Sequence, residues 1–152
     1  MQSAKQISVR LVNKPGKLAT ILAAMAKEKV DLLALTVMDA SDRSTLRFVA
    51  DDPELARSAL EAMSVNYDVT DVLMVDVSRE NGSFRKICER LAMEHLNIDY
   101  AYGSVFKKKG KAESMAIIKV NDLAKAQRVL SSAPANGRER KKPVRRRPAQ
   151  TR

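Results

Sequence analysis

The chain has 152 residues and a net charge of +10, with 45% hydrophobic residues, one cysteine and one histidine. That length holds one ordinary domain or two very small ones, each with a real core. No window approaches the roughly 18–20 apolar residues of a membrane span, "MQSAKQISV" lacks the apolar stretch of a secretory signal, and Cys88 with His95 makes neither a disulfide framework nor a Cys/His metal cluster, which suits a reducing cytoplasm.

Ile7, Val9 and Leu11 alternate with polar neighbours, the pattern of a half-buried strand. "NKPG" then makes a corner, and Leu18, Ile21, Leu22 and Met25 fall at helical spacing, with Lys27 and Lys29 favourable to the dipole at the helix end. "VDLLALTVMDA" (30–40) reads as a strand, "SDRS" as a turn and "TLRFVAD" (45–51) as its hairpin partner. A helix starts at "DDPELA", with Asp52 as cap and Pro53 in the first helical position. A further strand follows within "VNYDVTD".

The order then repeats. Leu73, Val75 and Val77 form a strand, Gly82 makes the corner, and Phe84, Ile87, Cys88 and Leu91 stripe a helix. "NIDYAYGSVF" and "SMAIIKV" form a hairpin around the basic loop "KKKGK", and "NDLAKAQRVL" is a helix capped by Asn121 or Asp122. An offset of 66 aligns Gly16 with Gly82, Ile21 with Ile87 and Asp31 with Asn97, while Asp52 aligns with Asp122 at 70, so the second hairpin is four residues longer. Sustained matching of this kind indicates duplication.

Each half reads β-α-β-β-α-β, so the fold class is α+β: two ferredoxin-like modules, each an antiparallel sheet with helices on one face. The boundaries fall at 4–70 and 71–132, followed by a basic tail at 133–152. That tail holds eight Lys/Arg against Glu139 alone, with three prolines and few apolar residues, a composition that favours disorder. Leu32 to Leu35 and Val72 to Val75 are apolar on both faces, so something covers the open face, either the other repeat or a second chain. After Leu130 no β-forming run follows, so the last strand of the second module is short or missing. An unpaired edge there favours association.

"KQISVRLVNKPGKLATILAAMAKEKVDLLALTVMDASDRSTLRFVADDPELARSAL" resembles an ACT domain, and the pair of repeats resembles the small stand-alone tandem-ACT proteins that bind amino acids. The resemblance spans roughly residues 4–131. It implies an allosteric, regulatory protein without catalytic residues or cofactor, binding an amino acid where two ACT modules meet, as a homodimer or higher homo-oligomer. By position it assigns ligand contacts to Asn13, Lys14, Pro15, Gly16, Lys17 and Leu18, with Val30, Asp31, Leu32 and Leu33 opening the next strand. The second corner departs from the family pattern: Asn81, Gly82, Ser83 and Phe84, with Asn97 and Ile98, make a second candidate site in which Asn81 replaces the proline.

The residues of the first corner fit either of two roles. A helix N-terminus offers N–H groups and partial positive charge to a carboxylate, Gly16 admits a close approach, and Asp31 suits an ammonium group. Equally, Asn13 caps, Pro15-Gly16 turns, and Asp31 is merely solvated. Cys88, on an apolar stripe, reads as a buried thiol, His95 as a helix-end residue, and Ile98, Tyr100, Tyr102 and Phe106 as one packed strand face. Nucleic-acid binding is the alternative from another class, through the tail and the loop Lys107, Lys108, Lys109 and Lys111. RNA-recognition modules share this element order, but they stack bases on aromatics of their central strands, where this first repeat has only Phe48. A scaffold with decayed ligand sites is a third reading.

Overall fold

The computed structural model describes residues 1–12, 14–40, 43–77, 81–108 and 111–132. Asn13, Lys109 and the tail 133–152 lie outside the described residues. The elements run β1 (Gln2–Val12), α1 (Lys17–Lys27), β2 (Leu32–Ala40), β3 (Arg43–Ala50), α2 (Pro53–Ala62), β4 (Tyr67–Asp76), α3 (Ser83–Met93), β5 (Ile98–Lys108), β6 (Lys111–Val120) and α4 (Leu123–Ser131).

The ferredoxin-like order is present twice, but in one continuous sheet rather than two. The strand order is β2-β3-β1-β4-β6-β5, all neighbours antiparallel. The strand expected within 65–71 and the one expected at 73–77 are a single β4, which runs through residues 70 and 71 without interruption. Its first part closes the first module beside β1, and its second part pairs with β6 as the opening strand of the second.

Among the described residues no strand follows α4. Gln2 to Lys5 pair with Met74 to Asp71, filling the position beside β4 that a strand after α4 would otherwise take. The pairing follows from the duplication. Ile7↔Phe48 in the first repeat becomes Leu73↔Ile118 in the second, as the offsets of 66 and 70 require. Lys5 and Asp71 face each other and are themselves 66 residues apart, so the internal two-fold passes between them. They form an exposed ion pair at 2.7 Å.

Alternation decides which side chains enter which core. Ile7, Val9, Leu46 and Phe48 pack under α1 and α2 with Ile21, Met25 and Leu60. Leu73, Val75, Ile118 and Val120 pack under α3 and α4 with Leu91 and Ala126. The opposite face carries a third cluster, in which Ala34 and Val49 meet Val72, Met74, Met115 and Ile117. Residues 72–75 are therefore apolar on both faces because helices cover one side and the other repeat covers the second. A flat sheet would hold β2 and β5, five strands apart, about 24 Å from each other. They touch instead, and Ser104 Oγ donates to the Leu33 carbonyl at 2.7 Å, so the sheet curls on itself.

Local signals place the helices. Asp52 accepts from the Glu54 and Leu55 amides at 3.1 and 3.0 Å, with Pro53 beginning α2. Asp122, not Asn121, caps α4 through the Lys125 amide at 2.9 Å. Asn121 instead accepts from the Asn97 amide at 3.0 Å, as Asp51 does from Asp31 at 2.9 Å. α1 and α3 end alike, with Lys29 and His95 in the left-handed region at φ 57° and 55°, so His95 is indeed a helix-end residue. Cys88 is half-buried rather than buried, because Leu91 is the one fully buried residue on α3.

Candidate functional site

The first corner is shaped by its backbone. The Lys14 amide donates to the Val12 carbonyl at 2.8 Å and the Lys17 amide to the Lys14 carbonyl at 3.3 Å. Gly16 then enters the helix at φ 84°, and its carbonyl accepts from both the amide and the hydroxyl of Thr20 at 2.9 Å. A Cβ on Gly16 meets nothing within 4 Å. The turn, not crowding, demands glycine here. Gly16→Ala is expected to cost about 1–2 kcal/mol through backbone strain alone, measured by urea unfolding. Gly82, at φ 82°, repeats this geometry at the second corner.

Beside α1 lies an open cleft of about 830 Å³. Its walls come from the end of β1, the first turns of α1 and the segment leading into β4, and every lining residue belongs to the first repeat. Arg10, Lys17 and Arg43 bring positive charge against Asp68 alone, so the cleft suits an anionic group. Among the ligand residues expected from sequence, Lys17 lines it; Lys14, Pro15 and Gly16 stand exposed on its approach, and Leu18 packs against the helix-side core.

Val30, Asp31, Leu32 and Leu33 do not join them. Leu32 pairs with Ala50, and Val49 is opposite Gln6, whereas Val12 is opposite Arg43. The start of β2 thus sits about six residues, or roughly 20 Å, along the sheet from the corner. Val30 is buried in the helix-side core, Leu32 packs against it, and Asp31 is exposed. Leu33 lines a smaller cleft of about 300 Å³ beside Lys5 and Asp71. At the second corner Asn81, Gly82 and Phe84 are exposed and Ser83 is half-buried, while Asn97 Nδ2 donates to Asp99 at 3.0 Å and Ile98 packs under α3 and α4.

A register shift between Ile98 and Tyr100 sends these two side chains to opposite faces, correcting the expectation of a single packed face. Ile98 serves the helix-side core and Tyr102 the inner cluster. Phe106 carries no described side chain. The helix-side core also bears on nucleic-acid stacking. Phe48, the one aromatic of the first repeat's central strands, is 1% exposed beneath the helices and so is not presented for stacking bases.

Sequence reasoning missed a polar network inside the curl. Gln6 is 0% exposed; its Nε2 donates to Tyr100 Oη at 2.6 Å and to Ser8 Oγ at 3.2 Å, and its Oε1 accepts from Tyr102 Oη at 3.1 Å. The Arg47 guanidinium lies 4.4 Å from the Tyr100 ring centre. A polar residue at an inward position of β1 was the available signal. Burial, reinforced by Tyr100 and opposed by Arg47, pushes the Tyr102 phenol well above its ordinary 10.0. The unfolded chain therefore releases this proton at a pH where the folded chain keeps it. The contribution is fully present below pH 10 and is lost as pH rises beyond it. Tyr102→Phe should flatten the fall in stability above pH 10, read from urea midpoints across that range.

Among the described residues no three His, Cys, Asp or Glu side chains stand together as metal ligands, and no helix is long and apolar enough to cross a membrane. The family model "ACT domain pair" matches residues 2–133. Among solved structures, protein BT0572 from Bacteroides thetaiotaomicron is 30% identical, with a TM-score of 0.75 over 84% of this chain and 86% of that one. The regulatory subunit of aspartate kinase from Thermus flavus is 15% identical, with a TM-score of 0.58 over 86% of this chain and 89% of that one. Its Thermus thermophilus counterpart, in ligand-free form, is 15% identical at a TM-score of 0.56, over 86% and 95%. No curated protein matches the chain.

Proposed function

The chain belongs to the ACT domain pair family, and on that premise we propose that it is a regulatory, non-catalytic sensor of an amino acid. The observation that carries this reading is the cleft of about 830 Å³ at the start of α1, where Arg10, Lys17 and Arg43 outnumber Asp68. The N-terminal turn of α1 adds its partial positive charge to theirs, a setting suited to a carboxylate. The regulatory subunits of aspartate kinase share the fold, which agrees with a sensing role.

The second repeat does not line this cleft, and in this reading the opposing module belongs to another copy. A cytoplasmic homodimer in which the corner of one protomer meets the Asp31–Leu33 segment of the other restores the full set of expected contacts, with Asp31 to receive the ammonium group. Signalling then requires that the amino acid bind one arrangement of protomers more tightly than the other.

The test is a thermal-shift screen of the standard L-amino acids on the full chain, with oligomeric state followed by light scattering. At a concentration about 100 times Kd, a ligand bound only to the folded state stabilises it by about 2.7 kcal/mol. Lys17→Gln should remove that shift while leaving the unliganded midpoint unchanged. Gly16 is a poor probe, since its substitution strains the turn with or without ligand. A screen in which no amino acid shifts the midpoint rejects the proposal.

A further inference from the structure

Duplication lets each position of the second repeat be judged against its twin in the first. Leu18, two residues after Gly16, packs against the helix-side core, as do Met63, Val65 and Tyr67. Its twin at the offset of 66 is Phe84, two residues after Gly82, and Phe84 is 39% exposed. At the offset of 70, Met63, Val65 and Tyr67 correspond to Ala133, Ala135 and Gly137. The apolar segment that follows α2 thus has no large counterpart after α4. A covered aliphatic residue in one repeat is an uncovered aromatic in the other.

Charge diverges in the same place. Residues 1–70 carry nine Lys/Arg and nine Asp/Glu, whereas residues 71–132 carry eleven against eight. With the basic tail, the whole net charge of +10 belongs to residues 71–152. Strand pairing gathers much of it at one end of the second repeat. Asp76↔Met115 sets the end of β4, and so the start of α3, toward the turn of the β5–β6 hairpin. That hairpin runs about 13 Å further, through Lys107↔Ala112 to Lys108↔Lys111.

α4 returns antiparallel to α3. Lys125 Nζ donates to the Glu94 carbonyl at 2.6 Å, and the Arg90 guanidinium donates to the Val129 carbonyl and, at 2.6 Å, to the Ser132 carbonyl. Arg90 thereby holds the point where the tail begins. Arg85 and Lys86 are exposed next to Phe84, and Arg128 is exposed on α4. A Cβ on Gly82 would stand 3.8 Å from Arg85 Nε, so this side chain overhangs the corner. Its ion pair with Glu89 is exposed and holds it only weakly.

An uncovered ring among cations suits a single-stranded nucleic acid, with a base stacked on the ring and phosphates met by Lys and Arg. Six of the tail's eight cations are arginine, whose planar fork matches phosphate. Val144 is the tail's one large apolar residue, too little to anchor it in a lipid surface. We propose that the start of α3, the lysine hairpin and the tail form a binding surface for single-stranded nucleic acid. Phe84 stacks on a base, while Arg85, Lys86, Arg128 and the tail neutralise phosphates. This surface shares no residue with the corner cleft of the first repeat, so neither reading depends on the other.

The experiment is fluorescence anisotropy of a labelled, mixed-sequence RNA of about 20 nucleotides, longer than one such site, titrated with the full chain. The same sequence as a duplex, and vesicles of phosphatidylserine and phosphatidylcholine, serve as comparators. Binding should weaken linearly in log K against log salt between about 50 and 200 mM. Phe84→Ala and Phe84→Leu should each weaken single-strand binding about 5-fold or more with the salt slope kept, and Phe84→Tyr should retain it. Duplex binding should respond to none of the three. Arg85→Gln and Arg128→Gln should each lower the slope by about 0.7, and Lys17→Gln should change neither affinity nor slope. Circular dichroism verifies the fold of each variant, and Phe84→Leu, the residue of the first repeat, replaces Phe84→Ala if that variant does not fold. Single-strand affinity indifferent to Phe84 overturns the proposal, the tail then acting alone as a polycation. Vesicle binding without RNA binding overturns it in favour of a lipid surface, and absence of RNA binding at the lowest salt overturns it outright.

Discussion

Ile117→Ala should destabilise the protein by about 3–4 kcal/mol, read as a lowered midpoint in urea unfolding followed by circular dichroism. Ile117 is 0% exposed and lies between the two repeats, where Ala34 and Val49 meet Val72, Met74 and Met115. Truncation removes three carbons from a site whose walls are strands held by ladders on both sides, so the void collapses little. Against a typical total of about 5–15 kcal/mol, that is a large share. Val105→Ala on β5 is the control: at 71% exposure it should change stability by no more than about 0.5 kcal/mol. A cost for Ile117→Ala as small as the control's would mean that the inner face is not a dry core.

Deleting residues 1–5 should have the second large effect, about 3 kcal/mol. The deletion removes the rungs from Gln2, Ser3, Ala4 and Lys5 to Met74, Leu73, Val72 and Asp71, each backbone bond contributing about 1 kcal/mol net, together with the packing of Ala4 on the inner cluster. The Lys5–Asp71 ion pair is exposed and adds little, so Lys5→Ala alone should cost under about 1 kcal/mol. Amide hydrogen exchange localises the effect. Protection should fall along Val72 to Met74 and spread into the second repeat, while the β1–β3 ladder, which begins at Gln6, keeps its protection. An unchanged exchange pattern at Val72 to Met74 would show that the first residues do not complete the second module.

Much of this architecture was legible in the residues. Alternation marked Ile7, Val9 and Leu11 as a strand, Asp52-Pro53 marked a helix start, and the spacing of Gly16 and Gly82 exposed the duplication, because these signals depend on neighbours a few residues apart. The doubly apolar Val72 to Val75 announced that both faces are covered, although not by what. No β-forming run follows Leu130, and nothing near it names the segment that pairs beside β4. Gln2 to Lys5 lie about 130 residues away and read as a polar N-terminal stretch. The candidate site was less legible. The corner was visible as "NKPG", yet its separation from Asp31 to Leu33 follows from the length of the strands between them, and the polar pocket behind Gln6 needs five strands brought together. Local chemistry, in caps, turns and alternation, decides which elements form. Which element lies against which is decided by pairing over long separations: there the two-fold between Lys5 and Asp71 set β1 against β4, joined both repeats in one sheet, and left one end of the inner face dry and the other charged.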